Sequence, residues 1–498
     1  SEYIAIDNFY TTTIYEKGAE LIRMQRTLLG AEVFLKGVQL YLQRHDGQAA
    51  TCEQFVQALE DASGVSLQTF RRWYHQAGTP QLSVQTHWDA AAGELKLTLS
   101  QLTPPTPGQS DKQTVPIPVR LGVLDASGQQ LQERLLVLEQ VEQSWTLSGL
   151  PAGPKPPVLS LLREFSAPVQ LVFQRSGVDL ALLLRSDPDP FSRWDAGQQL
   201  WQRQLLEPNS ATAELLEGVC RQLLQAVVAG SVDPRLAWAL LQAPSRSELE
   251  AACMAAGTTP DPLELERALL QRRCWLGEAL QAELQAVIAW AQPQADQSWP
   301  AGVGARAMLG LAWAWLSAAG DGAIRKQAAR AVDGGSMSLA RSGLAALQPW
   351  DGPERQQATS AFAKRWRDRP VILDAWFGIE ASAPFGDGIA RADALLQDPA
   401  FDPNAPNSLR AVLGGFGRCA EHFHRADGRG YQWMAEQLVA VDQRNPIAAS
   451  RMLKLFMGWR RYSPERQQLM RSSLEWLAEN LTSPNSKEVV MLCLQSSE

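Results

Sequence analysis

The first thirty residues change from a β-branched pattern to a helical one. Residues 11–14, Thr-Thr-Thr-Ile, are β-branched and favour extended backbone. From Gly18 onward, apolar side chains recur at helical spacing until Gly30 supplies a stop: Leu21, Ile22, Met24, Leu28 and Leu29. The pattern therefore predicts an extended segment that passes into a helix. Tyr15 lies at the junction, where a phenol can be held rigidly.

Three further helices are predicted before residue 80. The second helix ends near His45, and the third begins at Thr51, because Gln54 completes a capping-box pattern. The fourth stops at residues 78–80, Gly-Thr-Pro. The pattern therefore predicts that residues 1–80 are helical after the opening segment.

The hydrophobic period changes from helical to alternating after residue 80. Leu95, Leu97 and Leu99 alternate with polar residues, as in a half-buried strand. Residues 115–124 predict another strand, which we expect at a sheet edge because it contains prolines. Residues 125–128, Asp-Ala-Ser-Gly, predict a hairpin turn. About seven short strands are predicted, so we expect residues 81–180 to form a small β-sandwich.

Residues 181–498 carry a helical pattern almost throughout. Ser192 with Asp195 resembles a capping box, which predicts a helix start there. Amphipathic segments then follow at 212–229, 234–242, 261–292, 306–319, 338–347, 354–367, 371–380, 408–425, 431–442, 446–460 and 464–480. Consecutive helices with short loops predict an α-superhelical domain. The expected fold is thus multidomain α+β.

Composition and charge exclude some function classes. The net charge of −7 over 498 residues argues against a nucleic-acid binder. No segment approaches the roughly 18 apolar residues that a membrane span needs. The six cysteines are scattered, which predicts reduced thiols and a cytoplasmic location. The chain starts without methionine, and we expect it to begin partway into a longer protein.

The residues by themselves contain no complete catalytic constellation. His422 and His424 are spaced by two, so on a helix they lie on different faces and cannot share one zinc ion. We interpret them as solvated or partly buried helix residues, and we expect no metal ligand in this chain. Nucleophile-elbow, Walker and dinucleotide-binding patterns are absent from the sequence.

One segment resembles a known enzyme family. Residues 10–20, Tyr-Thr-Thr-Thr-Ile-Tyr-Glu-Lys-Gly-Ala-Glu, resemble the stretch that carries the catalytic tyrosine of the aminopeptidase N family of zinc metallopeptidases. The likeness is to the bacterial type of this thermolysin-like gluzincin family. It continues at residues 44–47, 50–52, 55–58, 70–74, 78–80, 164–169, 189–196 and 445–451.

The resemblance implies where this chain belongs in such an enzyme. It is similar to the last part of the thermolysin-like catalytic domain, followed by the β domain and the C-terminal helical domain. The family's zinc helix, its glutamate ligand and its substrate-amine segment would all lie upstream. The resemblance thus implies one zinc ion in the full-length protein, with the upstream segment of the same protein as partner. We expect this chain alone to be inactive, and the protein to be a monomer.

The resemblance also implies roles for four residues. Tyr15 would stabilise the tetrahedral intermediate, whereas the alternative is a buried aromatic with a satisfied hydroxyl. Tyr10 would pack against the peptide substrate, or it is an aromatic on a strand face. Arg410 and Arg451 would point into the closed cavity and meet the C-terminal side of the peptide. The alternative is that both arginines are solvated residues on helix surfaces.

Two function hypotheses follow. The first is the C-terminal portion of a zinc-dependent aminopeptidase that hydrolyses N-terminal residues from peptides. The second is a non-catalytic helical scaffold that binds a protein or peptide partner.

Overall fold

The computed structural model describes residues 6–495 and divides them into two compact units. One unit comprises residues 10–199, and the other comprises residues 200–495 together with residues 6–9. Helix α1 (Ile6–Phe9) belongs to the second unit, where Asn8 Nδ2 donates to Glu488 Oε2 at 2.8 Å. The expected multidomain α+β class is confirmed.

The chain between Thr11 and Lys17 is helical, so the prediction of an extended segment is wrong. Residues Thr13–Lys17 form a turn of π-helix that continues into α2 (Gly18–Leu29). The N–H of Tyr15 donates to Thr11 O at 3.2 Å. Propensity is a weak prior, and here the continuity with α2 overrides the preference of the threonines for extended backbone.

The remaining helices before residue 80 follow the predicted pattern. Helix α3 (Ala31–His45) ends where expected. Helix α4 (Cys52–Ser63) begins with the predicted capping box between Thr51 and Gln54. Helix α5 (Arg72–His75) is only one turn long, and Trp73 buries its ring there while Nε1 donates to Pro116 O at 2.9 Å.

Seven strands form two sheets in the described part of the chain. They are β1 (Gln81–Asp89), β2 (Glu94–Leu102), β3 (Ile117–Leu124), β4 (Gln130–Leu138), β5 (Glu142–Leu147), β6 (Val158–Leu161) and β7 (Gln170–Val172). The four-stranded sheet has the order β5-β2-β1-β7, and the three-stranded sheet has the order β4-β3-β6. Alternate residues of both sheets enter one core, as in a β-sandwich.

Strand β3 lies between β4 and β6, so the prediction that it is an edge strand is wrong. It pairs with β4 along its full length, whereas β6 pairs only with residues Leu121–Leu124. Pro118 lies in the half of β3 that β6 does not reach. The proline therefore removes no hydrogen bond between β3 and β6. The predicted turn at residues 125–128 is confirmed, since Gly128 N–H donates to Asp125 O at 3.0 Å.

Helices occupy most of the chain after β7. In the first unit, α6 (Gly177–Ser186) precedes α7 (Pro190–Leu206), which passes into the second unit. The helices that follow are α8 (Ser210–Val228), α9 (Pro234–Leu240), α10 (Arg246–Ala255), α11 (Pro262–Ala279), α12 (Gln281–Ala295), α13 (Val303–Ala318), α14 (Gly322–Val332), α15 (Met337–Leu347), α16 (Pro353–Arg365), α17 (Pro370–Ala381), α18 (Gly388–Leu396), α19 (Pro406–Arg418), α20 (Ala420–Phe423), α21 (Arg429–Asp442), α22 (Pro446–Leu453), α23 (Pro464–Asn480) and α24 (Pro484–Gln495).

Two predicted helix bounds are corrected. Ser192 lies inside α7, and its N–H donates to Asp189 Oδ2 at 2.7 Å, so Asp189 caps the helix. The segment 261–292 is two helices rather than one. Helix α11 ends at Ala279, helix α12 begins at Gln281, and Leu280 between them is not helical.

Helices of the second unit pack against neighbours close in sequence. Helix α13 packs on α12 and α15, α14 packs on α15, and α17 packs on α19. This pattern is typical of an α-superhelix, in which each helix pair buries its apolar face against the next pair. Among the described residues, no helix is long and apolar enough to cross a membrane.

Candidate functional site

Tyr15 projects from the π-helical turn of the first unit. Its side chain is 63% exposed, and its hydroxyl has no hydrogen-bond partner among the described residues. The interpretation of Tyr15 as a buried aromatic with a satisfied hydroxyl is therefore wrong. The phenol is an available hydrogen-bond donor, held on a helical turn that continues into α2.

Tyr10 lies beside Tyr15, although it is not on a strand face. The two ring centroids are 6.2 Å apart, and the rings are tilted by 35°. Tyr10 is 53% exposed and precedes the helical turn. The structure thus brings the two predicted tyrosines into one exposed aromatic pair.

Lys17 anchors the end of the π-helical turn. Its Nζ donates to Gly78 O at 3.3 Å, and burial lowers its pKa, with a smaller contribution from Lys112. Lys112 in turn donates to Ala77 O at 3.0 Å. Two lysines therefore hold the loop before β1, and one of them joins it to the turn that carries Tyr15. The sequence is compatible with Lys17 as an ordinary first-turn helix residue, and it gives no sign of the contact with Gly78.

Arg410 and Arg451 line one cavity of about 260 Å³ in the second unit. Helix α19 carries Arg410, and α22 carries Arg451. A third arginine, Arg418, lines the same cavity, whose lining residues include no carboxylate. Among the described residues, none of these three arginine side chains has an ion pair or a hydrogen bond. The cavity therefore presents guanidinium donors that are available to an anionic group.

The arginine cavity continues into a neighbouring one of about 410 Å³. Arg410 and Arg418 line both cavities, and Arg341 and Asp374 line only the larger. Arg418 was not predicted as a site residue. Arg418 follows Arg410 by eight residues, which is two steps of four and places both arginines on one face of α19. Helical periodicity could therefore have identified it.

The two neighbouring histidines are more deeply buried than their interpretation as solvated or partly buried helix residues expects. His422 Nε2 donates to Ala383 O at 2.8 Å. His424 accepts from Arg246 at Nε2, at 3.1 Å, and its Nδ1–H donates to Tyr431 Oη at 2.7 Å. Burial lowers the pKa of both imidazoles, that of His424 strongly. Both side chains are committed to protein contacts.

The described residues do not fit a zinc ion. They contain no group of three or more His, Cys, Asp or Glu side chains that could hold a metal. The imidazole nitrogens of His424 are both occupied, and His422 donates from Nε2 to a carbonyl. A zinc site built with this chain needs ligands from another stretch of polypeptide.

Family models match three consecutive parts of the chain. Residues 1–74 match the Peptidase family M1 domain. Residues 78–174 match a domain of unknown function (DUF3458) with an Ig-like fold, and residues 178–495 match a domain of unknown function (DUF3458_C) with ARM repeats. The matched descriptions agree with the β-sandwich and the helical array described above.

Several curated relatives are similar to this protein over nearly the whole of its chain. Aminopeptidase N of Caulobacter vibrioides is 40% identical over 99% of this chain and 57% of that protein. Aminopeptidase N of Escherichia coli is 34% identical over 96% of this chain and 56% of that protein. The crystal structure of Legionella pneumophila aminopeptidase A in complex with aspartic acid superposes with a TM-score of 0.88, at 25% identity, over 99% of this chain and 58% of that one.

These matches, together with the fold, define the class of protein. The chain belongs to the M1 family of aminopeptidases. It spans between 56% and 58% of the length of the relatives named above.

Proposed function

We propose that this chain is the C-terminal portion of a zinc-dependent aminopeptidase that releases N-terminal residues from peptides. The observation that carries the proposal is the exposed hydroxyl of Tyr15 on the π-helical turn, which has no hydrogen-bond partner among residues 6–495. It lies in the segment that matches the peptidase family model. The named relatives are aminopeptidases, which supports the same reaction class.

Tyr15 would act on the oxygen of the scissile carbonyl. Negative charge collects on this oxygen when a nucleophile adds to the carbonyl carbon. A preorganised O–H donor stabilises that charge more strongly than it stabilises the neutral carbonyl, so it lowers the barrier. Lys17 would act as a positioning residue, because its bond to Gly78 O fixes the end of the turn. Tyr10 would pack against the peptide beside the reacting group.

The arginines of the second unit would bind the far end of the substrate. A peptide ends in a carboxylate, and Arg410 and Arg451 line a cavity that lacks a carboxylate of its own. Guanidinium groups form strong, paired hydrogen bonds with carboxylates. Arg418 would contribute to the same interaction.

The zinc ion implied by the family would be held outside this chain. The upstream segment of the same protein would supply its ligands, so that segment is the proposed partner. We retain the monomeric state, the cytoplasmic location, and the absence of membrane and nucleic-acid partners as predictions. The six cysteines are all free thiols, which supports a reducing compartment.

The test is Tyr15→Phe in the protein that contains both this chain and the upstream segment. Removing one oxyanion donor should lower kcat by about 10²–10³, with unchanged zinc content. The contrast variant is Arg451→Gln. It should raise KM for short peptides and leave turnover of an aminoacyl anilide unchanged, because the anilide lacks the carboxylate end.

Equal loss of zinc and activity in Tyr15→Phe would contradict the proposed role and assign Tyr15 to folding. Undiminished turnover in Tyr15→Phe would also contradict it. If the complete protein hydrolyses no peptide but binds one through the arginine cavity, the scaffold hypothesis replaces the enzyme.

A further inference from the structure

The second unit contains another cavity, separate from the arginine cavities. Its volume is about 300 Å³, and it lies among the end of α7, the loop between α9 and α10, and helices α11 and α13. Its charged lining residues are Arg246, Glu266 and Arg273, and its apolar walls are Trp201, Leu241, Leu269 and Trp315. The volume is at the lower end of the range typical of small-molecule sites.

Arg246 is already committed to protein partners. Its guanidinium donates to Glu250 Oε1 at 3.0 Å, to Glu266 Oε1 at 3.1 Å and to His424 Nε2 at 3.1 Å. Glu250 is not among the residues that line the cavity, and it offsets part of the charge of Arg246. Arg246 therefore orients one oxygen of Glu266 and leaves the other oxygen available.

Arg273 has no such partner. Among the described residues, its side chain makes no hydrogen bond and no ion pair, and burial lowers its pKa. The side chain is partly buried, so its guanidinium has lost part of its hydration without gaining a hydrogen bond from the protein. Arg273 thus offers unused donors at the wall of the cavity.

Glu266 and Arg273 are held apart on one face of α11. They are seven residues apart, which places them on the same face and about 10 Å apart along the helix axis. In the described part of the chain Glu266 forms its ion pair with Arg246 and none with Arg273, although the opposite charges of Glu266 and Arg273 attract each other. Their opposite charges therefore face one cavity with space for a group between them.

We propose that this cavity binds a free α-amino acid in its zwitterionic form. The carboxylate would accept from Arg273, and the ammonium would donate to the Glu266 oxygen that Arg246 does not contact, so that both partly buried side chains would gain a partner in the cavity. A simple anion would meet Glu266, and a simple cation would meet two arginines, so neither matches the site as well. The exposed lining is mostly polar, and the four apolar residues leave room for a short aliphatic side chain beside them.

Such a ligand belongs to the product class of an aminopeptidase. The site is nonetheless built from residues other than Tyr15, Arg410 and Arg451. Its occupancy can therefore be measured in the present chain without catalytic activity, and the inference does not rest on the proposed reaction.

The test is isothermal titration of the full 498-residue chain with L-leucine. We expect binding at millimolar concentration, and Arg273→Gln should weaken it by about tenfold or more, since one charged partner is lost. The matched control is Arg272→Gln, on the same helix but outside the cavity lining, which should bind leucine as the unmodified chain does. Glu266→Gln should weaken binding in the same way.

Two analogues keep the test independent of mutant folding. L-leucinamide lacks the carboxylate, and isocaproate lacks the ammonium, so both should bind the unmodified chain about tenfold more weakly than leucine. Absence of leucine binding would overturn the inference. Equal binding of leucine and isocaproate would identify a plain anion site and overturn it too, as would equal leucine binding by Arg273→Gln.

Discussion

His424 illustrates how a single residue is set by its surroundings. The imidazole is 2% exposed and lies near the guanidinium groups of Arg246, Arg461 and Arg466. Burial, followed by these positive charges, keeps its pKa well below the usual value of 6.5. The neutral ring can therefore accept from Arg246 and donate to Tyr431 at the same time.

The buried imidazole predicts a loss of stability in mild acid. The folded pKa is lower than the unfolded one, so the contribution is fully present above pH 6.5 and is lost as the pH falls toward the folded pKa. Between pH 6.5 and the folded pKa, we expect the free energy of unfolding to fall by about 1 kcal/mol for each pH unit. Urea denaturation between neutral and mildly acidic pH measures the slope.

The comparison variant for this slope is His424→Gln, which does not titrate. It should show a smaller pH dependence, whereas His87→Gln should keep that of the unmodified chain, because His87 is exposed on β1. His422 should also contribute to the loss of stability in acid, since burial lowers its pKa as well. If the free energy of unfolding of His424→Gln depends on pH as steeply as that of the unmodified chain, protonation of His424 does not limit stability in acid.

At the scale of elements, a buried arginine joins strands β3 and β6 to the chain before α7. Arg163 is 2% exposed, and its Nη2 lies 2.9 Å from Asp187 Oδ1. Its Nε donates to Ser160 Oγ at 2.9 Å. Burial raises the pKa of Asp187, although Arg163 and Ser160 act in the opposite direction. Removing one partner from such a pair leaves an uncompensated charge.

The backbone after β6 is unusual for residues that carry side chains. Leu162, Glu164 and Phe165 all have positive φ, between 50° and 58°. Backbone of this kind costs free energy and persists only where surrounding contacts hold it. Here Glu164 N–H donates to Asp189 Oδ1 at 3.2 Å, and the ring of Phe165 lies 5.1 Å from that of Phe191.

Gly122 on β3 leaves room for the Arg163 guanidinium. A Cβ at this position would collide with that group. Gly122→Ala should therefore displace Arg163 from Asp187 and lower the free energy of unfolding by about 3 kcal/mol. Urea denaturation measures the change.

Gly153→Ala is the matched control for Gly122→Ala. Its added Cβ would meet nothing within 4 Å, and Gly153 does not have positive φ. The control should change stability by less than about 0.5 kcal/mol. Equal stability of the two variants would contradict the proposed role of the Arg163 contact.

At the scale of the whole molecule, each of the two compact units carries its own set of candidate site residues. The first unit holds the exposed tyrosine pair, and the second holds the cavity with three arginines. The described part of the chain provides no ligand set for a metal. The zinc ion of the proposed activity would therefore be held by residues other than those that the structure describes.

The purified 498-residue chain is predicted to bind less than stoichiometric zinc and to hydrolyse no aminoacyl anilide. The reason is the missing ligand set, because a zinc site needs three or four donors in fixed geometry. Metal analysis after dialysis against zinc, together with an anilide assay, checks this. Stoichiometric zinc with metal-dependent turnover would contradict the prediction.

Much of the element order could be predicted from local patterns. The capping box at Thr51 and Gln54 and the alternation in β2 are signals within a few residues, so they survive in the folded chain. The segment before α2 was predicted incorrectly, because local propensity could not account for the helix that continues from it. The centrality of β3 also depends on a partner, β6, more than thirty residues away.

The sequence by itself determined the periodicities, the turns and the family-like segment around Tyr15, because these depend on neighbouring residues. Only the tertiary structure decided which polar groups have partners. Both ring nitrogens of His424 are hydrogen-bonded, whereas the side chains of Tyr15 and Arg273 form no hydrogen bond with any residue that the structure describes. The physical reason is that a hydrogen bond or a desolvated charge depends on chain segments far away in sequence, which converge only when the protein folds.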